Sequence, residues 1–183
     1  MSRQTWQETL ITGVTDGPTL TAGTAASMLP PQAKFTLPAN FFDYVGKQIM
    51  VKATGRLSLA ATPGTCTFDV RFGATVVANG GAMVMATESY TNLAWYLEFL
   101  LTCRAIGTSA TLFVQGFWTS QMLAGQPATV PKGGLVAMLP WNAGPAVGTA
   151  FDSTATQQVD LFFTESVATA SLICHQYSLI AMN

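Results

Sequence analysis

From Lys34 onward the chain alternates apolar and polar residues at a period of two. The runs are short and broken by turn residues about every 10 to 20 positions, the mark of half-buried strands. The clearest run is Thr65 to Phe72, which sets Cys66, Phe68, Val70 and Phe72 on one face and Thr67, Asp69 and Arg71 on the other. Gln48 to Leu59 behaves likewise, with Ile49, Val51, Ala53, Leu57 and Leu59 inward and Lys52, Thr54, Arg56 and Ser58 outward. Gly55 falls on the inner face, where it allows a bend or bulge. Ala60-Ala61-Thr62-Pro63-Gly64 between the two runs is a turn, so they pair antiparallel. Ala74 to Ala78 and Ala82 to Ala86 flank Asn79-Gly80-Gly81, whose tolerance of positive φ favours a hairpin.

Leu93 to Cys103 contains the helix formers Leu, Ala and Glu, but Leu93, Trp95, Leu97, Phe99, Leu101 and Cys103 make an unbroken apolar face at period two, which decides for a strand. Ala110 to Trp118, Gly134 to Leu139, Thr156 to Thr164 and Ser171 to Met182 bring the count from Gln48 to about nine. With no convincing helix, no internal repeat and a long loop at Leu139 to Ser153, the chain fits an all-β fold, a two-sheet antiparallel jelly-roll sandwich. Residues 1–34 are rich in Thr, Gly and Ala, carry Gly17-Pro18 and Pro30-Pro31 as breakers, and show no period. They read as an extended N-terminal arm ahead of a jelly-roll domain at 35–183.

Only 9% of the residues are charged, 49% are apolar, and mean hydropathy is +0.35, a balance that excludes a disordered chain. Eight Lys and Arg stand singly against nine Asp and Glu, so no basic patch exists to hold nucleic acid by counterion release. The apolar stretches are far shorter than the ~18 to 20 residues of a membrane-spanning helix, and Met1 to Trp6 does not read as a secretory signal, so no membrane partner is expected. A monomer so poor in charge is weakly protected against self-association. Leu161-Phe162-Phe163 and the outward Phe113 and Phe117 make several strands apolar on both faces. Those outer faces are expected to meet another subunit, with a homotrimer as the closed form.

Candidate chemistry is sparse. His175 is the single histidine, placed by alternation with Ile173, Tyr177 and Leu179 and opposite to Cys174, and it reads as a buried or interface side chain with one partner. Cys66, Cys103 and Cys174 lack metal-ligand spacing and read as small core side chains with free thiols. Glu88, Glu98, Asp152, Asp160 and Glu165 could supply a carboxylate pair, but no acidic loop or calcium motif accompanies them. Gly80-Gly81 and Gly133-Gly134 lack the context of a phosphate loop and read as turns. Trp95, Tyr96, Trp118 and Trp141 could line a sugar groove, yet all but Trp141 lie within strands, where core or interface is the commoner fate. No catalytic residue, cofactor or metal is expected.

Several segments carry a resemblance: Leu37-Pro38-Ala39-Asn40-Phe41-Phe42 leading to Gly46-Lys47, Thr62-Pro63-Gly64-Thr65 before Asp69-Val70-Arg71, and Val77-Ala78-Asn79-Gly80-Gly81-Ala82-Met83. Trp95-Tyr96-Leu97-Glu98, Leu101-Thr102-Cys103-Arg104, Gln115-Gly116-Phe117-Trp118 and Gly148-Thr149-Ala150-Phe151-Asp152 continue it. Over residues 35–183 the chain resembles small virion structural proteins of tailed bacteriophages, those of capsid decoration or the minor head and tail. The resemblance implies a jelly-roll subunit, commonly trimeric, that sits on the virion and catalyses nothing. The expected partners are its own copies and the major capsid protein or other virion proteins, with assembly in the bacterial cytoplasm. A tail or fibre component is the alternative from the same particle, and a carbohydrate-binding jelly-roll module the alternative from another class. Within the arm, Trp6, Leu10, Ile11 and Val14 are the candidate assembly contacts. An arm folded back along its own sandwich as an edge strand is the competing possibility. An arm that serves attachment leaves the domain folded when residues 2–30 are removed.

Overall fold

The computed structural model describes residues 6–122, 135–141 and 143–182. Gly133-Gly134 lies outside them. The strands in chain order are β1 (Gln7–Thr12), β2 (Ala26–Ser27), β3 (Phe35–Leu37), β4 (Gln48–Leu59), β5 (Thr65–Phe72), β6 (Thr75–Asn79) and β7 (Met83–Val84). They continue as β8 (Tyr90–Ala105), β9 (Thr111–Ser120), β10 (Leu135–Leu139), β11 (Ala146–Val147), β12 (Gln157–Glu165) and β13 (Ala170–Met182). A 3-10 turn at Pro31–Ala33 is the sole helical element among the described residues.

All pairings are antiparallel and make two sheets. The larger runs β1-β13-β4-β8-β9-β10, with β11 also on β9; the smaller runs β2-β12-β5-β6, with β3 on β12 and β7 on β5. The last two strands therefore enter the interior of both sheets, β13 between β1 and β4 and β12 between β2 and β5. Early strands hold the edges and late strands fill in, which is a jelly-roll arrangement extended at one side by β9 and β10.

The two clearest runs form as alternation dictates: every inward residue expected on β4 and β5 is buried except the half-buried Gly55, and β4 and β5 occupy the expected spans. Phe68 sits at the middle of the sandwich with its ring 5.2 Å from Trp118, 5.3 Å from Phe163 and 5.8 Å from Trp95. A second cluster joins Phe72 to Phe151 at 4.9 Å and Phe42 to Phe151 at 5.7 Å, and it plugs the end covered by the long loop. Tilted and edge-on rings of this kind contribute about 0.5–1.5 kcal/mol per pair beyond the burial of their area.

The expected hairpin at Asn79-Gly80-Gly81 does not form. β6 and β7 both pair with β5, Asp69 with Asn79 and Cys66 with Met83, so they are two pieces of one line along the same neighbour. Asn79 Oδ1 accepts the Gly81 N–H at 2.8 Å, and Gly81 takes φ +77°, so the turn chemistry closes a local break rather than reversing the chain. The break admits the loop after β10, whose Trp141 N–H donates to Gly80 O at 2.7 Å.

The face assigned to His175 is also corrected. The register of β13 on β4 pairs Cys174 with Gly55 and Gln176 with Thr54, leaving His175 as the extra residue of a bulge. Alternation restarts there, so Cys174 joins Leu172, Tyr177 and Leu179 on the buried face, while His175 turns out to meet Asp16, Nδ1 to Oδ1 at 2.8 Å. Gly55 opposite the bulge has no room for a side chain: a Cβ would stand 1.9 Å from Ile173 O and 2.8 Å from the Trp95 ring.

The N-terminal stretch is extended but does not project. β1 borders β13, Gly17 N–H donates to Cys174 O, Leu20 bridges Leu172, and β2 borders β12. Met28, Leu29 and Ala33 are buried in the common core. The described part of residues 1–34 thus supplies one edge of each sheet, which is the folded-back possibility rather than a free arm.

Candidate assembly face

On the larger sheet the inward residues of β4, β8 and β13 are flanked by apolar neighbours: Ile49-Met50-Val51, Phe99-Leu100-Leu101, and Leu179-Ile180-Ala181-Met182. Register turns these local doublets into a surface. Met50 lies between Leu100 and Ile180, and Gln48 between Thr102 and Met182, with Phe113 next to Thr102 and Val147 next to Phe113. The next row runs Ser178, Lys52, Glu98, Phe117, Met138, and the last Gln176, Thr54, Tyr96, Thr119, Val136. Val136 is 60% and Met138 54% exposed, and the other apolar side chains of these rows are half-buried except for the exposed Val147. Five strands ~4.8 Å apart and four rows ~6.7 Å apart make a face of about 650 Å². The two rows through Met50 and Met182 make up about half of it, the Lys52 and Tyr96 rows the rest.

Not every outward aromatic awaits another subunit. Arg104 lies over the Phe113 ring at 4.8 Å and Arg71 over Phe162 at 3.9 Å, while Tyr96 and Phe117 stack at 5.6 Å. On the smaller sheet the polar neighbours of Phe162 are themselves linked. Arg71 Nη2 meets Asp69 Oδ2 at 3.1 Å, Lys34 Nζ meets Asp160 Oδ2 at 2.7 Å, and Ser27 Oγ donates to Asp160 Oδ1 at 2.7 Å. Burial pushes the Asp69 carboxyl above its ordinary range, and the Arg71 hydrogen bond and charge pull partly against that.

The four candidate contacts separate. Trp6, just before β1, is 62% exposed and Val14, just after it, 82%. Leu10, the extra residue of a bulge in β1, and its neighbour Ile11 are half-buried against the core of their own chain. Met50, Leu100, Ile180 and Met182 were missed as a surface by the sequence reading; the signal was the apolar doublet on each strand, which gains meaning only when the registers align.

The candidate carboxylates are each engaged. Glu98 pairs with Lys52 at 3.4 Å, Glu88 accepts from Tyr90 Oη at 2.9 Å, and Asp160 holds Lys34. Asp152 accepts from the backbone and hydroxyl of Thr154, which hold its carboxyl below the ordinary range. Glu165 accepts from Thr169 while burial raises its pKa. Among the described residues no three His, Cys, Asp or Glu side chains stand where they could hold a metal ion. The three thiols are free and buried, and burial raises the pKa of each, that of Cys174 to about 12. Of the aromatics weighed for a sugar groove, Trp95 and Trp118 are core, Trp141 packs half-buried against the core, and Tyr96 faces outward.

No family model matches the chain, and neither does any curated protein. Among solved structures, a match is the CBM2 module of the evolved Dit of Lactobacillus casei BL23 phage J-1, at TM-score 0.33 and 9% identity, covering 82% of this chain and 68% of that one. An overlap that slight carries no function across. What the coordinates define is a class: a two-sheet antiparallel β-sandwich with one outer face self-paired and the other open.

Proposed function

We propose that this chain is a structural protein of a tailed-bacteriophage virion that catalyses nothing, assembles as a homotrimer, and decorates or cements the capsid. The observation that supports the reading most is the open face of the larger sheet, where Met50, Leu100, Ile180 and Met182 line adjacent strands with no cover from their own chain beyond half-burial. Trp6 and Val14 at the β1 edge are the complementary feature. Seated on a neighbour's face they make a head-to-tail contact, which three copies close into a ring. Three weak attachments to the capsid then act together through effective concentration. The buried free thiols suit assembly in a reducing cytoplasm.

Light scattering after gel filtration tests the assembly. The wild type is expected as a trimer, and Met50→Glu with Leu100→Glu as a folded monomer. A wild-type monomer at micromolar concentration overturns the reading, and a dimer removes the threefold arrangement. Gold-labelled protein added to virions and imaged by electron microscopy tests the position, with label expected over the head. Label confined to the tail favours the tail component.

A further inference from the structure

We infer that the outer face of the larger sheet carries a saccharide-binding groove built around Tyr96, separate from the apolar rows that serve assembly. A depression of about 400 Å³ lies over β13 and β4, bounded by Thr12 and Gly13 at the end of β1 and by Tyr96 on β8. A second, of about 320 Å³, lies on the far side of the same tyrosine, lined by Ala94, Thr119, Ser120 and Gln121. Tyr96 is thus a ridge between two shallow hollows, the first within the size range of small-ligand sites.

The ridge is held in place. Phe117 stacks against the Tyr96 ring from the β9 side, and the tyrosine hydroxyl donates to Glu98 Oε2 at 2.8 Å. Lys52 completes the set by pairing with Glu98 at 3.4 Å, which leaves the groove without net charge. Around the first hollow stand the hydroxyls of Thr12, Thr54 and Ser178 and the amide of Gln176, whose Oε1 accepts from Thr54 Oγ1 at 3.5 Å, a mixture of donors and acceptors. A pyranose presents an apolar C–H face, which an aromatic ring covers, and a rim of hydroxyls, which such a mixture satisfies. A peptide fits less well. β4 and β13 under the floor are paired on both sides, so the one free edge at the hollow is the end of β1 at Thr12, and the lining residues there are mostly polar, with no deep apolar pocket to take a side chain. The chemistry selects a neutral oligosaccharide lying across Tyr96 with one unit in each hollow. The groove occupies the polar end of the face, past the Met50 and Ile180 row, so assembly and sugar binding are separable.

The test is a printed array of neutral and acidic oligosaccharides probed with the full chain, followed by calorimetric titration of the strongest neutral binder. Tyr96→Ala is expected to weaken that binding more than tenfold, Tyr96→Phe less than threefold because the ring remains, and Gln176→Ala severalfold. All three are expected to keep the oligomeric state of the wild type. Should Tyr96→Ala fail to fold, Gln176→Ala and Thr54→Val carry the decision. No retained glycan, retention of acidic glycans only, or unchanged affinity in these variants overturns the groove. A monomeric wild type that still binds through Tyr96 overturns the assembly reading alone.

Discussion

The two outer faces of the sandwich are made by the same alternation and end in opposite states. Outside the smaller sheet, Asp69, Arg71, Asp160, Lys34 and Ser27 are joined by ion pairs and hydrogen bonds, and Arg71 covers Phe162. Outside the larger sheet, the Lys52 and Glu98 pair is an island between the Met50 row and the Tyr96 row. The smaller face pairs most of its polar groups within one chain, with Asp69 Oδ1 and Arg71 Nε buried and left without a hydrogen-bond partner. The larger leaves methionine, leucine and isoleucine half-exposed, and in a chain with this little charge that is where association has the most to gain.

The largest effect comes from removing what both sheets share. Deleting residues 2–30 strips β1 and β2 from their edges and takes Met28 and Leu29 out of the core. Circular dichroism and urea titration are expected to show no cooperative unfolding, contrary to a dispensable arm. A truncated chain that still unfolds cooperatively would mean that the two sheets stand without their first edges.

A moderate effect separates the faces. Arg71→Ala leaves Asp69 buried without its partner and uncovers Phe162, which is expected to cost about 2–4 kcal/mol. Lys52→Ala breaks a pair whose side chains are 38% and 22% exposed, and is expected to cost less than about 1 kcal/mol. Equal losses in denaturant midpoints for the two variants would remove the contrast.

The smallest effect is in the pH dependence. Because burial raises the pKa of Asp69 in the folded state, the native protein binds that proton more tightly than the unfolded chain does. Its contribution therefore weakens as pH rises from the ordinary value of 3.8 through the raised one, and is constant above that. In Asp69→Asn this falling component should vanish, read as urea midpoints between about pH 4 and 7 against wild type. An unchanged slope would show that Asp69 titrates alike folded and unfolded.

Much of this fold is legible in the residues. The inward faces of β4 and β5 follow directly from Ile49, Val51, Phe68 and Val70, and the strand at β8 from the apolar series that ends in Cys103. Local turn chemistry was less decisive: Asn79-Gly80-Gly81 signals positive φ but not whether the chain reverses or merely breaks. Of the four apolar residues singled out before Leu20, Trp6 and Val14 are exposed whereas Leu10 and Ile11 pack on their own core, a division that the absence of any period in that stretch left unreadable.

What the amino-acid sequence determined by itself was everything that follows from a period of two: successive side chains point to opposite faces because of backbone geometry, with no reference to a distant partner. Tertiary structure decided the rest. The bulge at His175 reset the alternation of β13, and on the neighbouring strand Gly55 is where the closely approaching Ile173 backbone leaves no room for a side chain. The edges supplied by residues 1–34 had no period to announce them, because β2 is two residues long and much of the intervening chain pairs through single bridges and lone hydrogen bonds. The open face is likewise a product of register. Met50, Leu100 and Ile180 are separated by dozens of residues along the chain, and only the pairing of β4 with β8 and β13 sets them side by side.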